Sequence, residues 1–268
     1  MPELPEIETI RKSFDKIKNT IILDVEFRRE DIIRQKDYSP EKIPQKQIID
    51  INRRGKFLII VLEKNMYIIL HMGMSGRCYI MNVDANIAES HVHLVVTLNN
   101  KTKIVYQDPR RFGGVWLVKD MEGFFSHIGK EPLSDEFTAN YLYELTRKRK
   151  TPIKNLLLNQ RLIAGIGNIY ADEALYMAEV RPNRPANTLT KKEAQKLRNA
   201  IRKVLNTSIE NRGTTFRDFR DGYNESGHFQ NYLKVYGKTN EPCPVCTQIL
   251  TREKIGGRTS HYCDNCQN

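Results

Sequence analysis

The sequence predicts an α+β protein in which an N-terminal antiparallel β-sandwich with an opening helix precedes a C-terminal helical region and a small metal-bound β-hairpin. Short β-branched runs separated by turn residues dominate residues 1–125, apolar residues at helical spacing dominate the middle of the chain, and two CxxC pairs occur near its end. A chain of 268 residues can bury more than one hydrophobic core. We therefore expect domains at residues 1–130, 131–222 and 223–268.

The first predicted domain begins with a helix and continues with strands. Its helix carries one apolar face, formed by Ile7, Ile10, Phe14 and Ile17. Turn-forming residues separate the β-branched runs that follow, as hairpins require. The predicted strands are residues 22–27, 57–62, 66–71 and 91–98, with turns at 63–65 and 99–100. This pattern predicts a two-sheet sandwich.

The middle of the chain carries helix signals. Ser134 precedes two acidic residues, which is the usual composition of a helix start, and Tyr141, Leu142 and Leu145 follow at helical spacing. Further helices are predicted at residues 153–158, 168–178 and 190–210. Residues 221–227 contain two glycines among polar neighbours and predict a mobile loop.

The chain is strongly basic, with 43 Lys and Arg against 32 Asp and Glu and a net charge of +11. A protein with this charge attracts nucleic acid or an acidic membrane surface. The composition is also compatible with a soluble basic protein that has no polyanion partner. No apolar run approaches the ~18 residues needed to cross a bilayer, and the first residues carry no secretory signal. We expect an intracellular protein, whose thiols stay reduced.

Two CxxC pairs separated by sixteen residues predict a zinc site. Four thiolates complete a tetrahedral shell and leave no open position, so one structural Zn²⁺ ion is expected. Disulfides are the alternative, which reduced cytosolic thiols disfavour. The expected ligands are Cys243, Cys246, Cys263 and Cys266. The fifth cysteine, Cys78, is predicted to be an ordinary buried thiol.

The predicted hairpin between the two CxxC pairs is basic, because it carries Arg252, Lys254 and Arg258. A hairpin of this size is too small for a core of its own. Its cations suit contact with DNA phosphates, and solvated surface charge is the alternative interpretation.

The chain opens Met-Pro-Glu-Leu-Pro-Glu-Ile-Glu-Thr, with two prolines three residues apart and a glutamate after each. Pro and Glu are ordinary helix-start residues, but that preference does not explain the repeat. The opening resembles the N-terminal signature of the bacterial formamidopyrimidine-DNA glycosylases. Similar family segments follow in order: HMGMSG (71–76), QDPRRFGG (107–114), GIGNIYADE (165–173), RGTTFRDF (212–219) and the zinc tail. The resemblance spans essentially the whole chain and implies a helix-two-turn-helix fold in the second domain.

The resemblance implies a bifunctional enzyme of base-excision repair. Such enzymes remove oxidised purines, namely formamidopyrimidines and 8-oxoguanine, from duplex DNA by cleaving the N-glycosidic bond, and then cut the abasic strand by β,δ-elimination. By resemblance, the amine of Pro2 is the nucleophile once Met1 is removed, and it forms an iminium with the sugar. A small second residue permits that removal. Free α-amino groups titrate near ~7.7, so a useful fraction is neutral at cellular pH.

Three charged residues near the nucleophile also take roles from the resemblance. Glu3 matches the acid/base, Glu6 matches a supporting carboxylate, and Lys56 matches the lysine that holds the target phosphate. Without the resemblance, the two glutamates are better explained as helix-dipole residues, and Lys56 is an unremarkable surface lysine.

A glycosylase must extrude its target nucleotide and fill the hole that is left in the duplex. The family's void-filling positions match Met74, Arg110 and Phe112, whose side chains suit insertion into a base step. Ordinary core packing is the alternative for Met74 and Phe112. The family's mobile lesion-capping loop matches residues 217–228. Hydrogen-bonding groups in or beside it are Thr214, Thr215 and Tyr223.

DNA-binding positions of the family are distributed along the chain. Asn168 follows Gly165 and Gly167, where glycines let the backbone approach a phosphate at a helix start, although a helix cap explains the same pattern. The matching positions are His91, Arg110, Lys154, Asn168, Tyr170 and Arg258, and Glu173 is expected near the extruded base.

The chain departs from the family pattern around His91. Glu89 and Ser90 precede it where basic residues are common, and His93 stands where an acid is usual. We interpret His93 as a sheet-face residue.

Two other functions remain as alternatives: a relative of endonuclease VIII that acts on oxidised pyrimidines, and a non-catalytic binder of damaged DNA. The PELPE opening and the three void-filling residues favour the purine branch, and Pro2, Glu3 and Lys56 disfavour the binder. The expected partner is double-stranded DNA with damaged bases or abasic sites, without a membrane. We expect a monomer in the bacterial cytoplasm that is associated with the nucleoid when engaged on DNA.

Overall fold

The computed structural model describes residues 1–87, 90–216 and 219–268, and it divides into two compact units. The first unit contains Met1–Ser126 and Asn211–Gln230, and the second contains His127–Glu210 and Asn231–Asn268. These units differ from the domain ranges expected from the sequence. Residues 211–230 pack with the β-sandwich because Glu6 and Ile80 form hydrogen bonds with their backbone. The cysteine-rich tail belongs with the helices.

The first unit is a two-sheet sandwich beneath an N-terminal helix, α1 (Leu4–Ser13). A capping box between Glu3 and Glu6 begins this helix. One sheet has the order β1-β7-β8-β6 and the other β2-β9-β5-β4-β3. The strands are β1 (Ile22–Phe27), β2 (Ile33–Lys36), β3 (Ile48–Arg54), β4 (Phe57–Leu62), β5 (Met66–His71), β6 (Arg77–Asn82), β7 (Val92–Leu98), β8 (Thr102–Gln107) and β9 (Gly114–Val118).

The core of the first unit contains residues from α1 and from both sheets. The strands β4, β5, β7 and β8 are buried along most of their length. Representative members are Ile10, Phe14, Ile51, Leu70, Val96 and Ile104. Cys78 lies in this core, as predicted. The predicted sandwich is thus confirmed, with one parallel pair, β2–β9, among antiparallel neighbours. These strands are far apart in sequence, so their connection is long enough for parallel pairing.

Backbone conformation explains two strand limits. The three-residue turn between β4 and β5 places Lys64 and Asn65 at positive φ values of 62° and 54°, a conformation that is confined largely to turns. β7 begins at Val92, one residue later than predicted, because His91 has a φ of 64° and is not extended.

The helices after β9 are α2 (Met121–Phe125), α3 (Ala139–Arg147), α4 (Ile153–Leu158), α5 (Asn168–Ala178) and α6 (Lys191–Glu210). The helix start expected at Ser134 is wrong. The Ser134 hydroxyl donates to Glu131 O within a turn, and Thr138 caps α3 by accepting a hydrogen bond from Tyr141 N at 3.0 Å. The tail forms the hairpin β10 (Thr251–Ile255) and β11 (Arg258–Tyr262).

Within the residues that the structure describes, no helix combines the length and apolar character needed to cross a membrane.

Candidate functional site

The residues before α1 form a buried corner of the first unit. Pro2 and Glu3 are both buried, and Glu3 is the N-cap of α1. The Glu6 Oε2 atom accepts a hydrogen bond from Glu3 N at 2.8 Å. Because Glu6 lies one turn into the helix, it fixes the backbone immediately after Pro2 and places that residue at the positive end of the helix dipole.

The second oxygen of Glu6 connects this corner to a distant part of the chain. Glu6 Oε1 accepts a hydrogen bond from Thr214 N at 2.7 Å. The approach is close at Gly213, where φ is +77° and a Cβ atom would lie 2.9 Å from Glu6 Oε1. Glu6 thus links Glu3 to Thr214 through hydrogen bonds to both of its oxygens, and the sequence carried no signal for the contact with Thr214. Its supporting role at an active site stays a prediction.

Lys56 lies in the β3–β4 turn and is nearly buried. The preceding residue, Gly55, has a φ of 56°, and its carbonyl accepts a hydrogen bond from Arg53 Nη1 at 3.2 Å. Arg53 Nε also donates to Glu8 Oε2 at 2.9 Å. This ion pair joins the helix that follows Pro2 to the turn that carries Lys56. Sequence analysis did not identify Glu8 or Arg53.

His71 is a further neighbour of Lys56 that sequence analysis did not identify. Burial, and secondarily the charge of Lys56, lowers the pKa of His71 to about 4. Its Nδ1 atom accepts a hydrogen bond from Gly73 N at 3.1 Å. The neutral ring therefore holds the start of the loop that carries Met74.

The three expected void-filling residues lie on two loops of the first unit and are solvent-accessible. Met74 is 40% exposed, and Phe112 is 62% exposed. The Arg110 guanidinium lies 5.3 Å from the centre of the Phe112 ring. This exposure excludes the core-packing alternative for Met74 and Phe112. Their insertion into DNA stays a prediction.

His91 and His93 differ in environment. His91 is exposed just before β7, so it is available to a phosphate. His93 lies within β7 and is buried, with Nε2 2.8 Å from Asp108 O. Because a carbonyl only accepts, Nε2 is the protonated nitrogen. Glu89 lies outside the described residues.

Lys154 is a buried anchor of the second unit. Its ammonium lies 2.7 Å from Asp172 Oδ1 and donates to Thr259 O and Ser260 Oγ, both at 2.8 Å. The ion pair joins α4 to α5, and the two hydrogen bonds join α4 to β11 of the hairpin. The expected direct contact of Lys154 with DNA is therefore corrected: the side chain is fully buried, and its donors are engaged within the protein.

Tyr170 requires the same correction, and Glu173 is also engaged within the protein. Tyr170 is buried, and its hydroxyl lies 2.6 Å from Ser208 Oγ, which joins α5 to α6. Glu173 is buried and accepts hydrogen bonds from three consecutive backbone N–H groups, those of Lys234, Val235 and Tyr236. Its carboxylate therefore holds the segment that leads to the zinc tail. The expected place of Glu173 near the extruded base stays a prediction.

Asn168 and Arg258 lie at neighbouring positions of the second unit. Asn168 begins α5, and its Nδ2 donates to Thr259 O at 3.0 Å, directly after Arg258. Arg258 is exposed at the start of β11 and follows Gly256 and Gly257, which have φ values of 54° and 80°. The glycine turn before β11 and the start of α5 thus place Arg258 and Asn168, two of the residues expected to bind phosphate, close together.

The four tail cysteines form a compact cluster. Their sulfur atoms all lie within 4.8 Å of one another, with Cys243 Sγ 3.8 Å from Cys266 Sγ and Cys246 Sγ 3.4 Å from Cys263 Sγ. Disulfides are excluded, since they need about 2.05 Å. A tetrahedral zinc ion with bonds of about 2.3 Å requires sulfur separations of about 3.8 Å, so the cluster fits structural zinc.

Comparison with known proteins agrees with this architecture. Residues 1–115 match the family model described as the formamidopyrimidine-DNA glycosylase N-terminal domain, and residues 128–220 match its H2TH domain. Residues 240–268 match a zinc finger found in FPG and IleRS. A β-sandwich, a helix-two-turn-helix region and a zinc finger in this order define a DNA glycosylase of base-excision repair. More specifically, the chain belongs to the formamidopyrimidine-DNA glycosylase family, which confirms the resemblance found in the sequence.

Relatives match over their full length. Formamidopyrimidine-DNA glycosylase of Syntrophomonas wolfei is 52% identical over 267 residues, covering 100% of both chains. The enzyme of Pelotomaculum thermopropionicum is 42% identical, covering 100% of this chain and 99% of its own. A Lactococcus lactis FPG mutant in complex with a Fapy-dG containing DNA is 33% identical, covers 100% of both chains and has a TM-score of 0.93. The L. lactis Fpg complex with an abasic site containing DNA is 33% identical over 99% of both chains, with a TM-score of 0.91.

The zinc site predicts a defined metal content. Metal analysis should find about one equivalent of zinc, and Cys266→Ser should lose it, since three thiolates no longer close the shell. Amide hydrogen exchange in β10 and β11 should then increase. The matched control is Cys78→Ala, which removes a thiol from the first unit and should keep the zinc. Zinc retained at full stoichiometry by Cys266→Ser would contradict the assignment.

His71 predicts a pH dependence of stability. Its folded-state pKa of about 4 lies below the ordinary 6.5, so its contribution is complete above pH 6.5 and is lost as the pH falls toward 4. At pH 5 the loss should be about 2 kcal/mol relative to pH 7.5, measured by urea unfolding. His71→Gln should remove this part of the dependence, whereas exposed His127→Gln should retain it. Equal pH profiles for wild type and His71→Gln would refute the assignment.

Proposed function

We propose that this protein removes oxidised purines, formamidopyrimidines and 8-oxoguanine, from duplex DNA and then cleaves the abasic strand. The observation that carries the proposal is the buried corner formed by Pro2, Glu3 and Glu6, which the Glu8–Arg53 ion pair joins to the turn of Lys56. The solved relatives with Fapy-dG and abasic-site DNA support the same substrate class.

The proposed nucleophile is the secondary amine that Pro2 presents after removal of Met1. Its nitrogen lone pair forms a bond to the anomeric carbon of the sugar while the bond between that carbon and the base breaks. The base leaves with the electron pair and takes a proton, for which Glu3 is the proposed acid/base. The nitrogen then loses its proton, and its lone pair forms the C=N bond of an iminium while the bond between the anomeric carbon and the ring oxygen breaks and that oxygen takes a proton. The iminium makes the adjacent sugar proton acidic, so the two phosphates leave by successive β- and δ-elimination.

Cationic and amide groups in each unit support phosphate binding. In the first unit these are Lys56 and exposed His91, and in the second they are Asn168 and exposed Arg258. The net charge of +11 adds a long-range attraction to DNA. Lys154, Tyr170 and Glu173 act indirectly, since they hold the helices and tail that carry Asn168 and Arg258.

The void-filling loops and the lesion-capping segment complete the proposal. Met74, Arg110 and Phe112 are exposed before DNA is bound, as insertion into a base stack requires. The segment proposed to cover the extruded base is 217–228, of which residues 217 and 218 lie outside the described part of the chain. In the rest of it, Asp221 accepts hydrogen bonds from Tyr223 N and Glu225 N, both at 2.9 Å, and so folds the segment on itself.

The covalent mechanism predicts a strict requirement for the amine of Pro2. Borohydride should trap wild-type protein on a duplex with 8-oxoguanine. An N-terminal extension that cannot be removed places the nitrogen in an amide, whose lone pair is delocalised, so trapping and strand cleavage should be abolished. Binding to a duplex with an abasic-site analogue, measured by fluorescence anisotropy, should change less than about threefold, because Lys56, Asn168 and Arg258 are retained. Normal trapping by the extended protein would show that an internal lysine is the nucleophile.

Contact of Arg258 with a phosphate predicts a change in salt dependence. Arg258→Ala should lower the slope of log Kd against log salt by about one unit, because one fewer counterion is released on binding. Arg147→Ala serves as the matched control, since it removes an exposed arginine that pairs with Glu144 on α3. Equal slopes for wild type and Arg258→Ala would remove this residue from the interface.

A further inference from the structure

A fully buried carboxylate, that of Asp108, lies between the two loops that carry the proposed void-filling residues. Its Oδ1 atom accepts a hydrogen bond from Ser75 Oγ at 2.7 Å, and its Oδ2 atom accepts one from Gly113 N at 2.8 Å. Burying a carboxylate is unfavourable unless donors replace its lost water. Ser75 lies on the loop of Met74 and Gly113 on the loop of Phe112, so each loop donates a hydrogen bond to the same carboxylate.

The same two loops are also in backbone contact. Gly73 has a φ of +58°, and a Cβ atom there would collide with the backbone of Phe112 and Gly113. Only glycine permits both this conformation and this approach. The two loops therefore touch at Gly73 and Gly113. Met74 directly follows Gly73, and Phe112 directly precedes Gly113.

Asp108 itself is fixed to the sandwich. Its backbone N–H donates to His91 O at 3.0 Å, and its carbonyl accepts hydrogen bonds from His93 Nε2 at 2.8 Å and from Arg111 N at 3.2 Å. The Tyr106 hydroxyl, two residues earlier, donates to His71 O at 3.0 Å, at the end of β5. The loops are thus connected to each other and to the ends of three strands, β5, β7 and β8.

We infer that Asp108 is a positioning residue whose hydrogen bond with Ser75 makes the Met74 loop and the Phe112 loop enter the duplex as one unit. The inference rests on the proposed void-filling function. A charge-assisted hydrogen bond is strong when it is buried, so movement of one loop without the other breaks it and leaves the carboxylate short of a donor. Insertion of Met74 and of Phe112 is consequently concerted, and sequence analysis assigned no role to Asp108 or Ser75.

The decisive variant is Ser75→Ala, because it cuts the link and leaves the hydrogen bonds of Asp108 within its own loop. In the free protein, the exchange rate of the Gly113 amide, measured by NMR, should rise about tenfold, since the shared carboxylate is no longer held from the other side. Ser13→Ala is the matched control. Its serine is 6% exposed, against 8% for Ser75, and its hydroxyl donates to Thr9 O within α1.

Single-turnover excision of 8-oxoguanine measures the coupling between the loops. Met74→Ala and Phe112→Ala each slow excision from duplex DNA by some factor. In the wild-type background, the factor for the double variant should be smaller than the product of the two single factors by at least about fivefold. In the Ser75→Ala background the two effects should multiply to within about twofold. Ser75→Ala alone should slow excision from duplex DNA about tenfold and leave excision from a single-stranded oligonucleotide within about twofold, because only the duplex has a void to fill.

Unchanged Gly113 exchange in Ser75→Ala, or coupling between Met74 and Phe112 that persists without the Ser75 hydroxyl, would overturn the inference. An equal fall in the rates on duplex and single-stranded DNA would also overturn it, since a general structural role affects both. Failure of the proposed function is recognised separately: wild-type protein would then excise no base from either substrate, whereas the exchange measurement still tests the link between the loops.

Discussion

The carboxylate of Glu6 is the constraint on which the N-terminal corner depends. It accepts hydrogen bonds from Glu3 N, in the residue after Pro2, and from Thr214 N, 208 residues further along the chain. Both donors are backbone groups, so the geometry depends on the fold of residues 211–230 more than on the identity of their side chains. This explains why that segment belongs to the sandwich unit, although the helices separate it from the sandwich in sequence.

Buried charge serves a comparable purpose in the second unit. The zinc hairpin has a very small apolar core, in which Val235 and Leu250 pack with the cysteines. Its attachment to α4 and α5 depends on the Lys154–Asp172 ion pair and on hydrogen bonds to the backbone of β11. Removal of one partner of such a pair leaves a buried charge without compensation, so a misplaced hairpin is strongly disfavoured. Replacement of both partners by apolar residues costs less stability than removal of one.

Local patterns predicted most of the fold and the cluster of four cysteines. β1, β4, β5, α4 and α5 have the bounds that periodicity and turn residues indicated, whereas the helix start at Ser134 failed because its hydroxyl serves a turn. The cysteine spacing identified its cluster without help from the fold. Burial was less predictable. A family segment does not distinguish a residue that contacts DNA from one that holds such a residue in place, and this is the reason for the corrections at Lys154 and Tyr170.

The discontinuity of the first unit has a consequence for biosynthesis. Met1–Ser126 leaves the ribosome well before Asn211–Gln230, and the segment between them forms most of the helices of the other unit. Domains that are contiguous in sequence fold as they emerge, but a corner that needs Thr214 N cannot be completed until residue 214 has been synthesised. A nascent or truncated chain that ends at Ser126 therefore contains Pro2, Glu3 and Lys56 but lacks the donor that Glu6 receives from residue 214. The order of translation thereby delays the completion of the N-terminal corner until the helical scaffold has been synthesised.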